Sequence, residues 1–183
     1  VVLMAMLALN VSSDVLKGFT LVADKLDLST QNASHINDGI YRNFEEQMKA
    51  NPTKVKEWYE KAQYVRQISD SLYNLTEELK KAIVVKSDGE DGDVHNIRNQ
   101  EDLEAATSIM LAPVKGRGKE LFDAINNYRT RITKMVTDKD KRMVIESNLN
   151  TDVSPTAKAE GKNWQEYMFE STPTAAAVTL LTK

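Results

Sequence analysis

Asn51-Pro52 divides the first half of this chain into two long stretches of helical period, and that pattern confines the fold to a helical bundle. Before it, Val15, Phe19, Val22, Leu26, Ala33, Ile36, Ile40 and Phe44 recur mostly every three or four residues. That spacing marks one face of a helix and is close to a heptad. Gly18 and Gly39 weaken it locally. After the break, Val55, Trp58, Ala62, Val65, Leu72, Leu75, Leu79 and Ile83 form a second stripe. Pro52 suits the first helical position, with Asn51 as the residue that caps it. So short a connection predicts an antiparallel pair. Lys80, Lys81 and Lys86 fall near the end of the second helix, where cations suit the dipole.

The remainder reads the same way. Ser87 to Asp93 is a loop rich in Asp and Gly. A short helix carrying Leu103, Ala106 and Met110 follows and stops at Pro113. Gly116 and Gly118 punctuate the next junction. A third long helix carries Leu121, Ile125, Tyr128, Ile132 and Met135. Asp138 to Asn150 is a shorter, charged helix, and Thr151 to Pro155 a cap or turn. Trp164, Tyr167, Met168 and Phe169 gather before Pro173 and a final Ala-rich helix. No segment alternates with period two, and seven Gly with four Pro are too few for an all-β sandwich or barrel. The expectation is an all-α bundle, with Phe19, Val22, Leu26, Trp58, Trp164 and Tyr167 as helix-packing residues.

Composition narrows the function. A hydrophobic fraction of 41% is too high for a disordered tail and too low for a polytopic membrane protein. Lys plus Arg number 24 against 27 Asp plus Glu, a net charge of −3, which argues against a general nucleic-acid binder. The absence of Cys excludes disulfides, thiolate catalysis and thiolate zinc sites.

Several local patterns invite a chemical reading and fail it. Asp88, Glu90, Asp91 and Asp93 suggest calcium, but counting a calcium loop from Asp88 puts Gly92 at its fifth position and Asn99 at its twelfth, where acidic ligands belong. The segment is a solvated acidic turn. Lys115 to Lys119 looks like a phosphate loop, but Pro113 and Glu120 occupy the places of its first Gly and its Ser or Thr. From Lys115 to Arg142, nine basic residues face four acidic ones. Charge matching within the chain or between domains, involving the acidic loop, is the expected use. His35 and His95 have no nucleophile or carboxylate motif around them. Asn32-Ala33-Ser34 and Asn74-Leu75-Thr76 match the glycosylation triplet but fall within helices. No catalytic residue, cofactor or metal site is expected.

The chain opens on an apolar run, Val1 to Leu9, followed by Asn10 and Val11. At about 1.5 Å per residue it covers roughly half of a ~30 Å hydrocarbon core. A transmembrane remnant, a signal-peptide core and a buried core helix all fit that length. No small-residue cleavage signal follows, and the helical pattern continues through Ser12-Ser13-Asp14. We therefore read residues 1–13 as the C-terminal part of a transmembrane helix and 14–183 as an all-helical domain whose last helix continues further.

Met4 to Leu16, an apolar run passing directly into a polar helix, resembles the start of the GldM/PorM family. Asn163 to Glu170, followed by Pro173 and Ala175-Ala176-Ala177, is similar to the end of that family's first periplasmic domain. The resemblance implies a non-enzymatic, single-pass inner-membrane subunit of the gliding and type IX secretion motor. Its domain would lie in the periplasm and carry proton-driven rotation towards the outer membrane. The implied partners are a second copy, a ring of five GldL/PorL-like chains and other periplasmic secretion components, with no nucleic acid. The family's membrane Arg would lie upstream of Val1, so no residue here is assigned to proton coupling. Leu3, Met4, Ala5, Met6, Leu7, Ala8 and Asn10 would pack in the membrane or meet partners. The competing reading is a membrane-anchored helical sensor domain that binds a small ligand. Replacing Ala5 or Ala8 by a bulky residue in the full-length protein is expected to impair assembly or secretion; normal complex yield and secretion in both variants would contradict close packing there.

Overall fold

The computed structural model describes residues 12–113 and 116–183. The apolar run and the residues assigned to it, Leu3, Met4, Ala5, Met6, Leu7, Ala8 and Asn10, lie outside the described residues. Among the described residues no helix is long and apolar enough to cross a membrane.

Two helices set the dimensions. α1 spans Ser13–Ala50 and α2 spans Pro52–Asp88, 38 and 37 residues, each roughly 55 Å long. Contrary to the expected unbroken helical pattern through Ser12, that residue is extended (φ −57°, ψ 137°) and caps α1, its hydroxyl accepting the Asp14 N–H. Asn51 turns the chain, and Pro52 opens α2 with its φ already helical. The Asn51 side chain makes no capping hydrogen bond, contrary to the role expected of it. The helices run antiparallel, with Asp38 beside Arg66 and Asp27 beside Lys80.

The other elements gather against the half of this hairpin that holds the start of α1 and the end of α2. α3 is Glu104–Leu111, α4 Gly118–Met135, α5 Lys139–Asn148, α6 Pro155–Ala159, α7 Trp164–Phe169 and α8 Thr174–Thr182. α4 lies antiparallel to α2, with Arg117 near Glu78 and Tyr128 bonded to Ser69 at 2.9 Å. Gly116 and Gly118 make the entry to α4 possible, because a Cβ on either would stand within 2.8 Å of a carbonyl oxygen of α3 or the residue after it. Asp138 caps α5, and Ser154 with Pro155 starts α6. Asn163 and Glu166 form a reciprocal capping box on α7.

α8 is the buried element. Thr174 through Thr179 and Leu181 are all enclosed between α1, α2 and α3. Its start is held by the Thr174 and Ala175 N–H groups, which donate to Asp102 O and Gln100 O. Ala177 and Leu181 join Leu79, Ile83, Ala105, Ala106, Met110, Leu121, Trp164 and Phe169 in one core. Trp164 bridges that core through Phe122 at 5.7 Å and Phe169 at 5.9 Å between ring centres.

The packing of α1 differs from expectation. Leu16 and Ala23 are its buried residues, with Phe19, Leu26 and Phe44 half-buried. Val22 is 50% exposed and Ile36 64%, and Val15, Ala33 and Ile40 are open as well. α2 and α8 approach α1 about a third of a turn away from its apolar stripe. Trp58, also expected to pack, is 61% exposed, because the hairpin tip has two helices and no third. Lys61 Nζ sits 4.9 Å from its ring centre. Tyr167 is exposed too, since the short α7 turns Trp164 and Phe169 inward. Leu79→Ala is expected to destabilise the domain by about 2–5 kcal/mol in urea unfolding. Trp58→Ala, by the same measurement, should stay within about 0.5 kcal/mol of the parent.

Candidate functional site

The best-defined polar constellation is the junction of α1, α2 and α8. Leu79, Ile83 and Val84 of α2 are enclosed there, and Lys80 is drawn in with them, its side chain 2% exposed. Its Nζ lies 2.6 Å from Glu77 Oε1 on the same helix and 3.6 Å from Asp27 Oδ1 on α1. It also donates to Thr182 Oγ1 on α8 at 3.3 Å. A little further along, the Thr179 hydroxyl lies 3.0 Å from Phe19 O of α1 and 2.8 Å from Ala175 O of its own helix. One ammonium and one hydroxyl thus tie three helices together. Sequence reasoning placed Lys80 as a dipole partner near the helix end and missed this role. The available signal was its place beside the Leu72–Leu79–Ile83 stripe, three residues after Glu77.

Beyond the junction α1 and α2 diverge. A polar cleft of about 880 Å3 opens between them, lined by Asp27, Asp38, Tyr41, Arg66, Tyr73 and His95 among others. Arg66 stacks 4.9 Å from the Tyr41 ring centre, and burial raises the Tyr41 phenol above its ordinary value against the opposing pull of that cation. His35 and His95, 60 positions apart, both border this cleft. His95 Nδ1 is 3.9 Å from Asp27 Oδ2. Among the described residues no group of three or more His, Asp or Glu is arranged to hold a metal ion.

The acidic turn is satisfied from within. Asp88 accepts the Arg98 N–H at 2.7 Å and the Asn99 N–H at 2.9 Å. The Arg98 guanidinium clasps Asp91 at 3.1 and 2.7 Å, and holds its carboxyl below the usual range. The basic stretch does not serve this turn. Arg117 pairs with Glu120 at 2.8 Å and Glu78 at 3.2 Å, and Lys119 with Asp123 at 2.6 Å. Arg129 and Arg142 donate to the carbonyls of Leu149 and Val136. Arg117, Lys119, Arg129 and Arg142 are thus engaged within the chain, at carboxylates or carbonyls other than those of the acidic turn.

A second, apolar pocket of about 370 Å3 lies among α2, α4, α7 and α8, with Leu72, Ile125, Leu149, Trp164, Met168 and Leu181 in its walls.

The described residues form an all-α hairpin braced by a helical bundle and tied at a three-helix ionic junction. The chain matches the family model of the GldM N-terminal domain over residues 14–183, and it belongs to that family. The family is a structural, membrane-associated component of gliding and type IX secretion machinery. No curated protein matches the chain.

The junction makes its own prediction. Lys80→Ala strands Asp27 and Glu77, whose partial exposure softens the cost, so a loss of about 2 kcal/mol is expected in urea unfolding. Adding Asp27→Asn to Lys80→Met should recover part of it.

Proposed function

We infer that this domain is the first periplasmic part of a single-pass inner-membrane subunit in the motor that powers type IX secretion and gliding. It does no chemistry itself. It receives proton-driven motion at the membrane and passes it into the periplasm. Two copies stand inside a ring of five GldL/PorL-like chains, and other periplasmic secretion components take up the motion.

Family membership across nearly the whole chain supports this most directly. The structure adds a mechanical reason. α1 runs for 38 residues without a break from Ser13. A helix transmits displacement along its axis far better than a flexible linker does. The Lys80–Asp27 pair and the Thr179–Phe19 bond fasten the first half of that helix to α2 and α8. Force entering at Ser13 is then shared by the whole bundle within its first few turns.

Affinity purification of the full-length protein from bacterial membranes, followed by native mass spectrometry, tests this. Two copies with five of a small membrane protein bearing an intramembrane carboxylate is the expected result. A lone dimer after gentle extraction would overturn the motor reading. The apolar pocket beside Trp164 would then favour the ligand-binding sensor instead.

A further inference from the structure

Burial is distributed unevenly along the hairpin. On α1 the buried residues are Leu16 and Ala23, and on α2 they are Leu79, Lys80, Ile83 and Val84. None of residues 24–78 is buried, and residues 31–40 are all exposed. From Ile68 onward α2 is still braced, because Leu72 and Leu75 pack against the core and Ser69 bonds Tyr128 of α4. In the distal part, residues 31–66, α1 and α2 face each other across the polar cleft. The deepest apolar side chains there, Phe44, Met48, Val55 and Tyr59, are only half-buried. The stability of a region follows the apolar contact it buries, so the two halves of the hairpin are unequal.

What ties the distal part together is weak. Arg66 lies 3.5 Å from Asp38 Oδ1 across the cleft and 4.0 Å from Asp70 Oδ2 on its own helix, and it stacks 4.9 Å from the Tyr41 ring centre. The Arg66 and Asp38 side chains are 42% and 53% exposed, so water and salt compete for the pair. Gly39 falls in the middle of this stretch of α1. A Cβ there would meet nothing within 4 Å, so packing does not require the glycine, and it lowers the stability of the helix. At the turn, the Asn51 side chain makes no capping hydrogen bond. Two helices that lean chiefly on each other lose their support together, because helix in water without a packed face is marginal.

We propose that residues 31–66 form an arm that opens as one unit while the base of the domain stays folded, with Arg66 as its latch. Opening parts Arg66 from Asp38 and Tyr41 and widens the cleft whose walls they form. It leaves Leu79, Ile83, Ala177 and Leu181 of the core in place. The Lys80–Asp27 pair marks where the fastened part of α1 ends and the arm begins. The use of this arm rests on the reading of the domain as a force-transmitting part. Motion entering α1 then passes into the base between Phe19 and Asp27, where Thr179 and Lys80 hold the helix. The distal half of α1 is a compliant extension and not a rod.

Native-state hydrogen exchange tests this, on the purified 183-residue chain in mild detergent, read by mass spectrometry over a urea series below the main transition. Amides of residues 31–66 should exchange about a hundred-fold faster than those of residues 79–84 and 175–181. Arg66→Ala removes an exposed side chain and should speed exchange about three- to five-fold at every peptide of the arm, with the base unchanged. Leu79→Ala should do the reverse, loosening the base more than the arm. Equal rates in arm and base, or an Arg66→Ala effect that reaches the base in equal measure, would overturn the separate arm. Acceleration confined to the few residues beside Asn51 would mean fraying from the tip and would overturn opening as a unit. These rates do not depend on the ring. Loss of the motor reading by native mass spectrometry would leave the exchange pattern as it is, and a uniform pattern would leave the ring untouched.

Discussion

An ammonium taken out of water is the constraint around which the bundle is arranged. Lys80 cannot be buried without partners, because the unpaired charge would cost several kcal/mol. The chain supplies Glu77 from one turn away, Asp27 from α1 and Thr182 from α8. Those partners fix relative register. A slip of one residue in α1 would swing Asp27 by about 100° and leave the ammonium without its second carboxylate. Apolar contacts alone, such as Leu79 and Ile83 against Ala177 and Leu181, tolerate small shifts far better. The junction therefore specifies an arrangement more than it adds stability. It does so at the place where α1 must be fastened if displacement along it is to reach the rest of the domain.

The two sides of α1 then have different work. Its covered side combines Leu16, Ala23, Phe19 and Leu26 with the Asp27–Lys80 pair, and an exposed Asp38–Arg66 pair lies further along. Its open side holds Val15, Leu21, Val22, Leu28, Ile36 and Ile40. A domain that functioned alone would gain by turning the helix over. Leaving the aliphatic side uncovered makes physical sense in a larger assembly, which accords with membership of a family of secretion-machinery components.

Much of the fold was legible in the residues. Helical period without alternation specified all-α, and the breaks at Asn51-Pro52, Asp138 and Ser154-Pro155 fell where the helices end or begin. The failed calcium spacing of the acidic turn was informative, and its carboxylates are occupied by Arg98 and backbone N–H groups. The partner itself was not legible. The nine basic residues between Lys115 and Arg142 looked like the natural counter-charge, yet one arginine ten positions after Asp88 reaches the turn first. Trp58 and Tyr167 showed the same limit. Their spacing matched a packing face, but spacing does not say whether a third element lies opposite.

The sequence by itself determined that this chain makes long helices, roughly where the main breaks fall, and which family it resembles, because period, caps and breakers act over a few residues. It also marked a continuous apolar stripe on α1. Only the tertiary structure decided where that stripe points. The side of a helix that is covered depends on how the other helices fit together, and here the buried charge at Lys80 and the entry of α8 set that angle. Local chemistry could place the residues along the helix, but the direction they face came from contacts more than a hundred positions apart, such as Lys80 with Thr182 and Phe19 with Thr179.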